Sequence, residues 1–183
     1  MRAIRSMDKW AIALGLAASL GLSGPATATP CRDAPNGKAL DFWIGNWTVV
    51  AVGDSSPQGT SKIERVLDGC AVIENWQGAS PGDDGKSLFS FDVRLGLWDQ
   101  VWVTQDTSRP GGIKNKRMVA TYPDGGVRFQ GTVFVAPGRT MQDRTTLTPL
   151  PDGRVRQTIE ISRDGGTAWS VGFDAYYVRT GKP

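Results

Sequence analysis

Between Asn46 and Arg179 turn signals return at short intervals, and this spacing restricts the fold more than any other feature of the chain. Asp68-Gly69, Leu95-Gly96, Pro123-Asp124-Gly125-Gly126, Ala136-Pro137-Gly138, Pro149 to Gly153 and Arg163-Asp164-Gly165-Gly166 punctuate segments rich in β-branched and aromatic residues. Parallel strands need long crossover connections, and these gaps are too short for them, so the pattern specifies antiparallel strands. The segments read as strands over residues 46–52, 60–67, 70–77, 87–94, 97–105, 113–122, 127–135, 143–148, 154–162 and 169–179, with loops at 78–86 and 106–112. Eight to ten short strands in up-and-down order leave two sheet edges exposed, and closure into a barrel removes both. A single all-β, antiparallel up-and-down barrel is therefore expected, with a β-sandwich as the competing architecture. The phrase Pro-Asp-Gly-x-Val-Arg occurs at 123–128 and at 151–156, but its flanks differ. It is one turn chemistry used twice, since Asp-Gly suits a β-turn without further explanation.

Residues 1–28 read as a secretory signal peptide. Arg2, Arg5 and Lys9 precede a short apolar run from Trp10 to Leu22, and Ala26-Thr27-Ala28 supplies the small residues of a cleavage site. The run is shorter than the roughly 20 residues a membrane-spanning helix needs. Residues 29–39, rich in Pro, Gly and Asn, read as an extended arm, and 40–183 as the barrel domain, a length that suits one domain. This organisation predicts an exported protein, periplasmic or secreted, with no membrane span. The leader holds three basic residues against Asp8, so it accounts for most of the net charge of +3. No Lys/Arg run remains after it, which argues against a nucleic-acid partner. Oligomeric state leaves no mark in the sequence.

The two cysteines, Cys31 and Cys70, are expected to pair in an exported chain. There is no histidine, which excludes Ser-His-Asp and Cys-His catalysis, a His-ligated haem and the usual zinc sites. No cofactor or metal is expected. Asp83-Asp84 provides too few ligands for calcium.

Candidate binding residues follow from two-residue alternation. On strand three, Cys70, Val72, Glu74 and Trp76 share a face; on strand five, Trp98, Gln100 and Trp102 do. If both faces point inward, three indoles line the interior, with Glu74 and Gln100 among them. The opposite faces carry Ala71, Ile73, Val101 and Val103, so periodicity leaves the inward face undecided. A buried glutamate needs partners, and Arg117, Arg144 or Gln157 are the candidates. Glu74 and Glu160 could form an acid–base pair, although both also read as ordinary strand residues.

Gly45-Asn46-Trp47 follows a predicted helical turn at Leu40 to Ile44 and opens the first strand. It resembles the Gly-x-Trp signature of lipocalin-like barrels, in which the tryptophan closes the barrel base beneath an arginine from the last strand. That resemblance implies structural roles for Gly45, Trp47 and Arg179. Longer blocks extend it: Asp41 to Trp47, Gly69 to Trp76, Trp98 to Trp102, Arg156-Gln157 with Ser162 to Gly166, and the Trp169 to Arg179 ending. Together they resemble a family of exported bacterial lipocalin-like proteins of unknown function. The resemblance implies a fold and a compartment but no activity. Ser162-x-Asp164-x-Gly166-x-x-Trp169 also fits an Asp-box, which in a single copy is a hairpin-turn device.

Three functions are compatible with these residues. The first is a binding protein for a small apolar or amphipathic ligand held in the barrel. The second is an enzyme, such as an isomerase, cyclase or hydrolase, that uses Glu74. The third is an envelope protein-interaction or inhibitor module, which would expose an apolar patch.

Overall fold

The alternation of turn signals and β-rich runs becomes ten antiparallel strands in a computed structural model that describes residues 31–107 and 112–180. The strands are β1 (Gly45–Ala51), β2 (Pro57–Val66), β3 (Ala71–Gly78), β4 (Gly85–Asp92), β5 (Leu97–Thr104), β6 (Ile113–Thr121), β7 (Val127–Ala136), β8 (Arg139–Pro149), β9 (Val155–Ser162) and β10 (Ser170–Arg179). Each pairs with its neighbours in sequence, and β1 pairs with β10 from Trp47↔Arg179 to Ala51↔Ala175. The sheet thus closes into an up-and-down barrel with no free edge, and the competing sandwich is not formed. The leader at 1–28, and Arg109, Pro110 and Gly111 of the 106–112 loop, lie outside the described residues. Among the described residues no helix is long and apolar enough to cross a membrane.

Two local readings change and one turn holds. The segment at 31–39 is not extended. It coils through a 3-10 turn at Cys31–Asp33 and further turns closed by Gly37 N–H to Ala34 O (2.9 Å) and Ala39 N–H to Asn36 O (3.0 Å). The Asp68-Gly69 turn forms as expected: Cys70 N–H bonds Leu67 O (2.9 Å), and Asp68 and Gly69, with φ of 51° and 92°, occupy its two central positions. β8 starts at Arg139 rather than 143, because the tight Pro137-Gly138 turn lets it pair with β7 from Ala136↔Arg139 onward.

A plug shuts one end. Leu40 and Trp43, both fully buried, enter the barrel from a 3-10 turn at Asp41–Trp43. The Trp43 ring meets Phe89 and Tyr177 edge-on at 5.6 and 5.7 Å, and Phe89 meets Phe129 at 5.2 Å, geometries that aromatic rings favour. Trp47 donates its indole N–H to Trp43 O (2.9 Å), and the Arg179 guanidinium lies 4.3 Å from the Trp47 ring centre. Arg179 also donates to Ile44 O (3.1 Å) and Phe42 O (3.4 Å). Gly45 makes room for this. Its φ of 146° suits glycine, and a Cβ there would fall 2.5 Å from an Arg179 nitrogen. The Cys31–Cys70 disulfide, joining residues 39 apart, fastens the coiled N-terminal segment to the start of β3.

The inward residues nearest the plug, among them Phe91, Trp98, Met118, Val127, Leu147 and Val155, fill that half of the barrel. A ten-stranded barrel is wider than an eight-stranded one, and the other half is not filled.

Candidate functional site

The unfilled half is a cavity of about 370 Å³ that opens at the end opposite the plug. Its walls come from alternate residues of β3, β5, β6, β8, β9 and β10. Closure decides the question that periodicity left open. Glu74 on β3 and Gln100 on β5 are buried inside, while Val101 and Val103 face out at 41% exposure each.

Three rings form the upper wall: Trp76, Trp102 and Phe173, with Trp76 and Phe173 edge-to-face at 6.4 Å. Two glycines hold the indoles back. A Cβ on Gly85 would lie 2.3 Å from Trp102 Cη2, and one on Gly59 would lie 2.9 Å from Trp76 Cζ2. Each indole thus occupies the space above a neighbouring strand where a side chain would stand, which keeps the lumen open.

The floor is polar. The Glu74 carboxylate accepts hydrogen bonds from Ser61 Oγ (3.1 Å), Ser87 Oγ (2.9 Å) and the Tyr177 hydroxyl (3.2 Å). Gln100 donates through Nε2 to Ser87 Oγ (3.2 Å), and the single Tyr177 hydroxyl proton is shared between Glu74 and the nearer Gln157 Oε1 (2.9 Å). Burial pushes the Glu74 carboxyl above its ordinary range, and the three hydroxyl donors offset only part of that. Burial, together with the adjacent Glu74, also holds the Tyr177 phenol well above its usual range, so it stays protonated.

Beside the floor lies a charge cluster. Asp143, with no exposure, receives Lys114 Nζ at 2.6 Å and Lys116 Nζ at 2.9 Å; Lys116 also donates to Thr145 Oγ1. Burial lowers the Lys116 ammonium to about 8 against the pull of Asp143. Burial would raise the Asp143 carboxyl, but the two ammonium groups outweigh it and hold the carboxyl below its usual range.

Of the residues singled out in the sequence, Glu74, Trp76, Gln100, Trp102 and Gln157 come together around the cavity. Trp98 points inward but belongs to the filled half, where it packs on Phe91 at 5.0 Å and donates to Asn36 O at 2.9 Å. Arg117 and Arg144 lie on the outer wall. Arg117 forms a two-pronged pair with Asp99 (2.6 and 2.8 Å), and Arg144 forms one with Glu160 (2.7 and 2.8 Å). Strand alternation is the reason: Lys116 points in, so Arg117 must point out, and Asp143 does the same to Arg144. Glu74 is therefore satisfied by hydroxyls rather than by arginine. Glu160, held on the outside by Arg144, does not face Glu74, so no carboxylate pair forms.

Sequence reasoning missed Ser61, Ser87, Lys114, Lys116, Asp143, Thr145 and Tyr177. A signal existed for Asp143 and Thr145, which alternate with Met141 and Leu147 on one face of β8. None existed for β6, where Ile113 and Val119 face out at 61% and 56% exposure while the lysines face in. The Asp164 carboxylate accepts backbone N–H bonds from Thr167 (3.0 Å) and Ala168 (2.9 Å), which is a turn and not a binding site. Asp84 likewise caps Gly78 N–H (3.1 Å). Among the described residues no group of three or more His, Cys, Asp or Glu side chains is placed to hold a metal ion.

Glu74 makes stability depend on pH with a definite sign. Its folded-state pKa is raised, so below the ordinary glutamate value of about 4.3 it costs nothing. Stability then falls as pH climbs from there through the folded-state pKa, because only the unfolded chain ionises freely. Each tenfold loss of acidity corresponds to about 1.4 kcal/mol. Replacing Glu74 by Gln is expected to flatten this slope between pH 4 and 8 in denaturant midpoints. Superimposable pH profiles of the two proteins would show the reading of Glu74 to be wrong.

No protein-family model matches the chain, and no curated protein matches its sequence. What stands is the architecture: a closed, antiparallel, ten-stranded up-and-down β-barrel, compatible with a lipocalin-like fold.

Proposed function

We propose that the protein is an exported binding protein for a small amphipathic molecule. The observation that carries this is the cavity itself. A barrel with no ligand to hold would fill its interior as it does around Trp43, Phe89 and Phe129. Here, glycines on β2 and β4 keep Trp76 and Trp102 against the wall, and about 370 Å³ remains open. Aromatic walls over a floor of placed polar groups are what small-molecule sites generally have. The leader-like residues 1–28 and the Cys31–Cys70 bond support export. Native mass spectrometry of the protein purified from the cells that make it is expected to show a non-covalent mass increment lost on unfolding. A bare polypeptide mass, with no affinity for any amphipathic probe, would end this reading.

A second reading, acid–base chemistry at Glu74, is favoured by one observation: a carboxyl with a raised pKa on the floor of an open cavity. Glu74→Gln separates the two. A carrier keeps its ligand when Glu74 is replaced, whereas an enzyme binds but loses turnover.

A further inference from the structure

The cluster of Lys114, Lys116 and Asp143 is asymmetric in what it shows to the cavity. The Asp143 carboxylate is completely closed off, and the Lys116 side chain is 2% exposed. Lys114 alone remains open, at 18%. Both ammonium groups lie within hydrogen-bond distance of the carboxylate, and within this cluster the charge most open to a molecule in the lumen is the Lys114 ammonium. Asp143 is consumed in the rear, where it fixes both lysines in place, and two cations share this single carboxylate.

The surroundings reinforce the sign. Glu74 also lines the cavity, but it lies on the floor beneath three hydroxyl donors, and its burial favours the neutral form. Asp83 stands at the rim, in the β3–β4 connection packed against Gly78. Lys114 is paired in register with Trp102 on the adjacent strand, and both line the cavity. A cation held rigidly at the side of an aromatic chamber meets the needs of a ligand with a flat apolar body and an anionic group. In a site shielded from bulk water such a contact is a charge-assisted hydrogen bond, stronger than a neutral one.

Resting on the binding reading above, we propose that the ligand is a small organic anion, a carboxylate on a ring-bearing apolar body. Its anionic group docks on Lys114 Nζ, and its ring lies between Trp76, Trp102 and Phe173. Lys116 and Asp143 act as positioning residues: they hold the Lys114 ammonium where the anion arrives.

The test is isothermal titration with three probes: 2-naphthoate, its neutral isostere 2-naphthamide, and 1-decanol. Wild-type protein is expected to bind 2-naphthoate at least about tenfold more tightly than the amide, a difference of about 1.4 kcal/mol. Lys114→Met, shown by circular dichroism to be folded, is expected to abolish that preference, so that naphthoate binds no more tightly than the amide. Lys114→Arg is expected to restore it. Equal affinity for naphthoate and naphthamide in the wild type, or a preference that survives Lys114→Met, overturns the anion proposal and leaves the carrier reading standing. So does binding of decanol alone. Failure of all three probes overturns both.

Discussion

Replacing Asp143 by alanine is expected to destabilise the barrel by about 3–5 kcal/mol, the range for removing one partner of a buried ion pair. The variant leaves Lys116, almost wholly buried, and Lys114 facing each other without a counter-charge. Lys116 can escape the full penalty by losing its proton, since burial already holds it at about 8 with Asp143 present. The sign of the pH dependence follows. A lysine with a depressed folded-state pKa loses stability as pH falls from the ordinary lysine value of about 10.4 down to that value, because the unfolded chain takes up the proton first. Removing Asp143 lowers the Lys116 pKa further and widens this window. The loss measured in urea should therefore be greater at pH 6 than at pH 9.5. A loss of the same size at both values would mean that Lys116 is not the group bearing the cost. Replacing Lys116 and Asp143 together by Met and Leu is expected to recover most of the stability, as buried ion pairs exchanged for apolar residues commonly do.

Reduction of the Cys31–Cys70 bond has the second large effect. In the chain-entropy treatment a loop of this length contributes about 4 kcal/mol by restricting the unfolded chain. The native structure adds a local consequence. The segment from Cys31 to Ala39 carries the Asn36 carbonyl that receives the Trp98 indole, and it leads directly into the Leu40–Trp43 plug. Arg32 and Arg65 both pair with Asp41 at this end, Arg32 at 2.8 Å. Releasing the cysteines should loosen the plugged end first and leave the cavity end intact. Hydrogen exchange on the reduced protein is expected to show faster exchange at the plugged end, in β1 and at the start of β3, than in β6 and β8. A uniform rise over all strands would indicate global destabilisation alone, without the local opening.

How much of this was legible in the sequence depends on the range of the interaction involved. Turn chemistry is local. Gly125-Gly126, Pro137-Gly138 and Asp152-Gly153 act through the φ and ψ of a few residues, so the strand segments and their up-and-down order could be read directly. The plug and its Gly45-Asn46-Trp47 entry were also visible, because these residues lie within one short stretch. Glu74, Gln100, Trp76 and Trp102 were found because two-residue alternation groups them within single strands. Their partners were not, because those arrive from strands far away in sequence. Tyr177 lies 103 residues from Glu74, and Lys116 lies 27 from Asp143. Charge alone makes arginine a natural partner for a buried glutamate, but register turns Arg117 and Arg144 outward and supplies hydroxyls instead.

By itself the sequence determined an all-β antiparallel chain, its turns, a cysteine pair that could be joined, and the absence of histidine chemistry. Those properties are set by backbone conformation and composition, which each residue carries with it. Only the tertiary structure decided which face of each strand is inside, that ten strands close the ring, and that one half is filled while the other is open. A one-residue change of register would turn every side chain of a strand from lumen to solvent. The inward lysines of β6 and the buried Asp143 of β8 therefore became neighbours only once the ring had closed.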